Sequence, residues 1–341
     1  MSQDTSGSSP LDPKQLMRDL AAFRDPSLVR SIWELAITVT LFASVLAAML
    51  FGVGTGYWIA LALLPLSGLL LLRLFIIQHD CGHGAFFASK RANEWVGRAI
   101  GVLTFTPYDC WKLSHARHHA RTGNLDKRGF GDVDTLTVKE YRDATPLQRF
   151  GYWLYRHPLV LFGFGPAYLF FLRHRLPVGL MREGLLYWIS AMATNAVLAA
   201  ILVGLGLTFG WGVTALVVLL TVLIAGSTGV WLFYIQHQYE DAHWDWQDKW
   251  SFQEAALMGS SYLALPQPLR WFTGNIGIHH VHHLASTIPF YRLPEVLKAH
   301  PALTEVNRYT ARQTIRPLIL ALWDEDRRKL VSFREAKRIS A

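Results

Sequence analysis

Three short histidine-rich segments hold most of the residues that could do chemistry. They span residues 79–83, 115–119 and 279–283 and contain nine of the chain's 14 histidines. Neutral imidazole is the commonest metal ligand among side chains. Histidines three or four positions apart share one face of a helix, so we expect each segment to present two or three imidazoles to one point. The sequence therefore predicts a metal site.

The number of imidazoles indicates more than one ion. Eight histidines in these segments have the spacing i, i+4 or i, i+3, i+4, whereas a single zinc takes four ligands. Imidazole also suits iron, and an oxygen-activating site needs a redox metal, so the predicted cofactors are two iron ions. The predicted ligands are His79, His83, His115, His118, His119, His279, His282 and His283.

His237 is a ninth candidate ligand, because it ends an apolar run just as His79 follows another. His280 lies off the ligand face, and Cys81 is not needed among many imidazoles, so neither is predicted to bind metal. The histidines predicted to be structural or solvated are His157, His174, His243 and His300.

Oxygen acceptors should stand behind the ligands, because a metal-bound imidazole usually donates its other N–H to an oxygen. Asn275 lies one helical turn before His279 and is the first candidate. Asp80 and Asp109 are the next candidates. Further acids near the segments are Asp132, Asp134, Glu240 and Asp241.

Four apolar runs have the length that a bilayer requires, about 20 residues. Short connections between the first and second runs, and between the third and fourth, predict two antiparallel hairpins. Arg73, the one charge in the second run, is expected to snorkel to the membrane surface. The predicted fold class is an all-α membrane protein with four transmembrane helices and a cytoplasmic helical cap carrying the histidine site. The predicted spans are 31–53, 56–77, 185–207 and 212–235.

The distribution of charge predicts the orientation. None of the 33 Lys and Arg residues lies in a hairpin connection, so both ends and the middle segment should be cytoplasmic. The net charge of +8 is interpreted as a cap resting on anionic membrane lipids, and no nucleic-acid motif accompanies it. Two shorter apolar stretches, 95–105 and 152–172, are predicted to lie in the membrane interface.

The domain organisation follows from these segments. Residues 1–30 are predicted to be a cytoplasmic N-terminal segment, with disorder over 1–13. Residues 31–310 form the membrane domain, and 311–341 a cytoplasmic tail. No cleavable signal peptide is predicted, and the two cysteines are not expected to form a disulfide. No flavin, nicotinamide or iron–sulfur motif is present, so electrons should come from another protein.

The sequence around the histidines resembles that of the integral-membrane fatty acid desaturases, whose three histidine motifs are H-x3/4-H, H-x2/3-H-H and H/Q-x2/3-H-H. Three segments are similar to the corresponding segments of omega-6 (delta-12) acyl-lipid desaturases of bacteria and plastids: HDCGHGAFF (79–87), YIQHQYED (234–241) and HHLASTIPFY (282–291). The resemblance covers residues 30–310. It departs at Phe233, where some relatives supply an Asn ligand.

This resemblance implies a cytoplasmic di-iron cap, with the eight histidines and His237 as iron ligands. It implies dioxygen as oxidant, a fatty acyl chain of a membrane lipid as substrate, and an electron donor of ferredoxin or cytochrome b5 type. The implied location is a bacterial inner membrane. A related di-iron hydroxylase or ketolase, acting on carotenoid or alkane, and a metal transporter stay open as alternatives.

Overall fold

The computed structural model describes residues 13–129 and 131–339 of the 341-residue chain. The disorder predicted for the N-terminus falls on residues 1–13, of which only Pro13 is described, at the start of the first helix. The α-helices are α1 Pro13–Asp19, α2 Leu28–Gly54, α3 Leu64–His83, α4 Lys90–Leu103, α5 Tyr108–His119, α6 Val138–Asp143, α7 Pro146–Tyr155, α8 Gly165–Phe171, α9 Leu185–Phe209, α10 Trp211–His237, α11 Phe252–Met258, α12 Leu269–Phe272, α13 His279–Leu284, α14 Leu293–Ala299 and α15 Phe333–Ile339.

Four helices are long and apolar enough to cross a membrane, and each overlaps one predicted span. They run Leu28–Gly54, Trp58–His83, Leu185–Phe209 and Trp211–His237. The second consists of a 3-10 turn, Trp58–Leu63, that continues directly into α3. At their C-terminal ends the helices continue past the predicted apolar runs, because polar residues there keep the helical hydrogen bonding. Helix α3, for example, continues through the first histidine segment to His83. The predicted fold class is confirmed as a mostly helical chain with four helices able to span a membrane.

Short connections join these helices into two hairpins, as predicted. Residues 55–57 separate α2 from the second span, and Gly210 alone separates α9 from α10. Gly210 has φ +87°, which a residue without a Cβ adopts at little cost. Residues 67, 68 and 72 of α3 contact residues 221, 224 and 229 of α10 in the same order, so the two helices run parallel and end on the same side of the bundle.

Helices α3 and α10 pack closely along the bundle. A Cβ placed on Gly68 would lie 2.4 Å from Ile224 Cγ2, so the two backbones approach at this glycine. Nearby, the hydroxyls of Ser67 and Thr221 are 3.1 Å apart and satisfy each other inside the apolar layer. This contact fixes the relative position of the two helices whose ends carry the first histidine segment and His237.

The two stretches predicted to be interfacial form short helices, and neither is long enough to be a span. The first lies within α4 and the turn after it. The second is interrupted after α7, then continues as a π-helical turn, Val160–Phe164, and α8. At the break the buried Arg156 donates to Gln238 Oε1 at 2.9 Å and to the Tyr234 hydroxyl at 3.0 Å. The location of the stretches 95–105 and 152–172 in the membrane interface stays a prediction.

Short strands join the C-terminal residues to earlier parts of the chain. The sequence analysis did not predict these strands. Strand β1 pairs in parallel with β4, with Leu136 opposite Leu322, and β4 pairs antiparallel with β5. The residues after 310 thus pack against the middle segment, and all of β4 is buried. The strands are β1 Leu136–Thr137, β2 Tyr262–Ala264, β3 Arg308–Thr310, β4 Leu320–Asp324 and β5 Lys329–Ser332, with β2 parallel to β3.

The prediction that Arg73 snorkels to the surface is wrong. Its side chain is 1% exposed and forms an ion pair with Glu34 of α2, itself 2% exposed. Thr38 Oγ1 accepts from Arg73 Nε at 3.2 Å. A charge buried within an apolar helix bundle is tolerated when a partner of opposite charge neutralises it, and α2 supplies that partner here.

A larger side chain at Gly68 should destabilise the bundle. We expect Gly68→Leu to lower the free energy of unfolding by about 1–3 kcal/mol, because the new side chain overlaps Ile224. Thermal unfolding in detergent would measure the loss. The matched control is Gly204→Leu on α9, where nothing lies within 4 Å of the added Cβ. Equal unfolding temperatures for the two variants would contradict the close packing of α3 on α10.

Candidate metal centre

The three histidine segments and His237 come together beside the ends of α3 and α10. The first segment forms the last turn of α3, and the second forms the end of α5. The third makes up most of α13, and His237 is the last residue of α10. All nine predicted ligands are therefore brought to one side of the apolar bundle.

Their ligand atoms form two groups, within each of which all atoms lie within 4.8 Å of one another. In the first group, neighbouring Nε2 atoms are 3.0 Å apart for His83–His115 and His115–His119, and 3.2 Å apart for His119–His282. The first group is His79, His83, His115, His119 and His282, and the second is His118, His237, His279 and His283.

The second group is as compact as the first and more deeply buried. His279 Nε2 lies 2.9 Å from His237 Nε2 and 3.1 Å from His283 Nε2, and the His118 ring centre is 4.7 Å from that of His237. All four members are buried, whereas three of the five in the first group are partly exposed. The two groups touch where the rings of His119 and His283 stack at 4.1 Å.

The expectation that each segment faces a single point holds for the first segment and is wrong for the other two. In the second segment the i, i+4 pair His115 and His119 joins the first group, while His118 joins the second. In the third segment the i, i+4 pair joins the second group and His282 joins the first. On a helix, i+3 and i+4 lie on either side of the i position, so the short helices α5 and α13 each supply both groups.

Histidines predicted not to bind metal lie outside both groups. His280 faces away from the centre, where its Nε2 is 3.0 Å from the Leu303 carbonyl oxygen. Burial lowers the pKa of His280 to about 4, so the ring is neutral. His243 is partly buried, and its Nε2 lies 2.9 Å from Asp245 Oδ2, a carboxylate that Arg328 also binds.

Oxygen acceptors stand behind three of the imidazoles. Asp132 contacts His118 Nδ1 through a very short hydrogen bond. The Gly259 carbonyl accepts from His237 Nδ1 at 3.2 Å, and Asp80 Oδ1 lies 3.4 Å from His79 Nδ1. Such acceptors fix which ring nitrogen is free for a metal, so they leave Nε2 of His118 and His237 facing the centre.

The other predicted acceptors lie in the surrounding framework. Asn275 accepts from Arg270 Nε at 3.0 Å and donates to the Phe290 carbonyl at 3.2 Å. Asp109 pairs with Arg98 through two contacts of 3.0 Å. Within the described part of the chain, neither side chain hydrogen-bonds to a histidine of the two groups.

An aromatic wall beside the first group was missed by sequence reasoning. Trp111 stacks on His115 with ring centres 4.7 Å apart and meets the edge of Phe75 at 5.4 Å. A Cβ on Gly82 would come within 2.7 Å of the Trp111 ring, so this glycine lets the indole lie against α3. The available signal was spacing, because Trp111 precedes His115 by one helical turn on the same face.

Phe233 occupies the position where some relatives have an Asn ligand. Its ring centre lies 5.0 Å from that of His118 and 5.1 Å from that of His237, so it borders the second group with an apolar surface. The second group therefore contains four imidazoles and no side-chain amide from this position.

The donor set fits metal ions. Burial, reinforced by neighbouring imidazoles, lowers the pKa of five histidines of the two groups well below the ordinary value: His115, His119, His279, His282 and His283. Neutral rings offer lone pairs, and lone pairs that face one another repel unless a cation or a proton lies between them. The buried Nε2 of His118 has no partner among the described residues. Two cations, one for each group, would satisfy these nitrogens.

Comparison with known proteins gives consistent matches. The fatty acid desaturase family model matches residues 56–314. The chain is 41% identical over 327 residues to a fatty acid desaturase of Bacillus subtilis, covering 96% of this chain and 92% of that protein. It is 31% identical over 302 residues to the sn-1 acyl-lipid omega-3 desaturase (ferredoxin) of Synechocystis sp., covering 84% and 79%. It is 25% identical over 288 residues to the sn-1 oleoyl-lipid 12-desaturase of Anabaena variabilis, covering 71% of each.

Adjacent histidines of the second segment should affect different ions. We expect His118→Ala to lose the ion of the second group and His119→Ala that of the first, because each variant leaves the other group intact. Metal analysis of protein purified after iron loading, combined with Mössbauer spectra, would show which iron signal each variant lacks. His280→Ala is the matched control and should keep both. Loss of the same signal in both variants would contradict the division into two groups.

Metal retention should extend below pH 6.5, the ordinary pKa of histidine. Because burial lowers the pKa of these imidazoles, they stay neutral where an exposed histidine is already protonated, and protons displace the metal only at more acidic pH. Metal content after dialysis against a chelator along a falling pH series would locate the release. A midpoint above pH 6.5 would contradict this expectation.

Proposed function

The chain belongs to the fatty acid desaturase family, and from this premise we propose that it is a dioxygen-dependent di-iron desaturase of membrane lipids. It would insert a cis double bond into a fatty acyl chain, at the omega-6 (delta-12) position. The observation that carries the proposal is the pair of imidazole groups, five and four residues, beneath four apolar helices. The proposed catalytic unit is the membrane domain, residues 31–310.

The proposed reaction balances with an external reductant. Two hydrogen atoms leave adjacent methylenes, and with one dioxygen, two electrons and two protons they yield the double bond and two waters. Bound iron would supply the redox chemistry that an unactivated methylene requires. The nine histidines of the two groups are proposed to hold that iron.

The remaining residues would bind, orient and shield. An acyl chain offers no charge to grip, so its position must be set by apolar shape. Trp111 and Phe75 form an apolar surface next to the more open first group, and we infer that this side receives the substrate. Packing against the aromatic wall would also exclude water from the reacting methylenes.

Electrons are proposed to come from a separate carrier of ferredoxin or cytochrome b5 type. The sequence contains no flavin, nicotinamide or iron–sulfur motif of its own. A ferredoxin is named for the acyl-lipid omega-3 desaturase of Synechocystis sp., which supports a carrier of this class. A soluble carrier would have to reach the side of the membrane on which the histidines lie.

We propose a bacterial inner-membrane protein with both ends and the metal centre in the cytoplasm. The hairpin connections at 54–57 and 208–211 contain no Lys or Arg, while both ends and the long middle segment are rich in them. Basic residues are retained on the cytoplasmic side during insertion. The histidine groups lie on the same side as these basic segments.

The omega-6 (delta-12) position of the double bond is the most specific part of the proposal. The similarity of the words around the histidines to omega-6 enzymes supports it, and a 12-desaturase is among the relatives. An omega-3 enzyme is also among them, so family membership alone leaves the position open.

Expression in a bacterial host that makes no polyunsaturated fatty acid tests the proposal. With a ferredoxin and its reductase co-expressed, we expect a new diene with its second double bond at carbon 12, because oleoyl chains would be the acceptor. Gas chromatography with mass spectrometry of derivatised esters gives the position. His282→Ala should make no diene while inserting into the membrane normally. A hydroxylated product would instead indicate the hydroxylase alternative, and changed metal uptake without any lipid change would indicate transport.

A further inference from the structure

The third histidine segment depends on its surroundings for its position. It lies on α13, a helix of only six residues, His279–Leu284. A helix this short has little stability of its own, because nucleation costs more than so few hydrogen bonds return. Its place beside the first segment must therefore be set by the chain on either side of it.

The chain before α13 is attached to α3 through Arg73. The Arg73 Nη1 atom donates to the Trp271 carbonyl through a very short hydrogen bond, and the guanidinium carbon lies 3.9 Å from the centre of the Trp271 ring. Three residues later, a Cβ on Gly274 would fall 2.6 Å from Ile76 Cγ2, so the backbone lies directly on α3. Arginine combines charge-assisted hydrogen bonding with stacking on an aromatic face, as it does here.

The chain after α13 returns to the same helix through Asp80. The Phe290 backbone N–H donates to Asp80 Oδ2 at 2.6 Å, and the Phe290 ring centre is 5.2 Å from the Arg73 guanidinium carbon. Asn275 donates to the Phe290 carbonyl at 3.2 Å and so ties the two flanks of α13 to each other. The flanks and α3 therefore form a closed loop of contacts.

These contacts share one face of α3. Arg73, Ile76 and Asp80 are at i, i+3 and i+7 and project to the same side. The charge of Arg73 is balanced by Glu34, which Arg30 also contacts at 2.6 Å. Helix α3 thus offers one face to the chain around α13, while His79 and His83 join the first group.

We propose that Arg73 and Asp80 clamp the third histidine segment onto α3 and thereby set the distance between its histidines and those of the first segment. Both are positioning residues that act through Trp271 and Phe290. The inference rests on the proposed metal centre, because its measurable consequence is the affinity of the two groups for iron.

A competing explanation is that Arg73 only neutralises Glu34. Removing the arginine alone would leave a buried carboxylate unpaired, and that would destabilise the fold for a reason unrelated to the metal. The double variant Arg73→Met/Glu34→Met separates the explanations. It removes both charges with side chains of similar length, and it leaves the Trp271 carbonyl without its donor.

Anaerobic titration of the purified, metal-free full chain with ferrous iron against a competing chelator is the test. If Arg73 positions the third segment, the double variant unfolds at nearly the wild-type temperature but binds iron about tenfold more weakly, the effect typical of losing a group that orients metal ligands. Its Mössbauer spectrum should also change. Wild-type affinity and spectrum in the folded double variant would overturn the proposal. Arg316→Met/Glu335→Met removes another Arg–Glu pair, 2.6 Å apart and outside the clamp, and should leave iron binding unchanged.

A second pair of variants tests Asp80 and also covers failure of the double variant to fold. Asp80→Asn keeps an oxygen that accepts from the Phe290 N–H, whereas Asp80→Leu does not. We expect Asp80→Asn to bind iron within a few-fold of wild type and Asp80→Leu about tenfold more weakly, with the loss again attributed to ligand orientation. Equal losses in the two variants would overturn the role of this hydrogen bond. Because no substrate enters either experiment, a chain that binds iron but makes no diene would refute the proposed function and leave the clamp standing.

Discussion

Imidazole nitrogens that face one another at about 3 Å are the interaction on which the rest of the structure depends. Lone pairs of neutral rings at such distances repel unless a cation or a proton lies between the facing nitrogens, so without either of these a rigid surrounding framework must hold the rings in place. The framework comes from helix ends: α3 and α10 are fixed by their contact at Gly68, and α5 and α13 are placed against them. The apolar bundle thus serves as a rigid base for an unfavourable arrangement of lone pairs.

The parts of this structure that follow local rules could be predicted from the sequence. A helix that crosses a bilayer must be long and apolar, so the four candidate spans and their hairpins could be predicted from hydropathy and from the short connections between them. The spacing of the histidines predicted eight residues of the two groups, and His237 was predicted because its position at the end of a span repeats that of His79. The family resemblance and the grouping of the histidines agree because both rest on the same spacing.

The features that depend on contacts distant in sequence could not be predicted in this way. Spacing shows which histidines share a helix face, but not how that face is rotated toward its neighbours, so the division of the second and third segments between the groups was missed. Arg73 was wrongly expected to reach the surface. Its partner, Glu34, belongs to another helix, so no local pattern reveals the ion pair. Strand β4 likewise pairs with β1, which lies far away in the chain. Pairings of this kind arise from three-dimensional packing and leave no local pattern.

The extreme shortness of the two hairpin connections has a consequence for substrate supply. On the side opposite the histidines the bundle ends in residues 55–57 and Gly210, with no described cap. Under the proposed function, the centre would therefore meet acyl chains only from the leaflet on the histidine side, whichever compartment that leaflet borders. Lipids of the other leaflet would have to cross the bilayer before they could react, so the rate of transbilayer exchange would limit how completely such an enzyme can remodel a membrane.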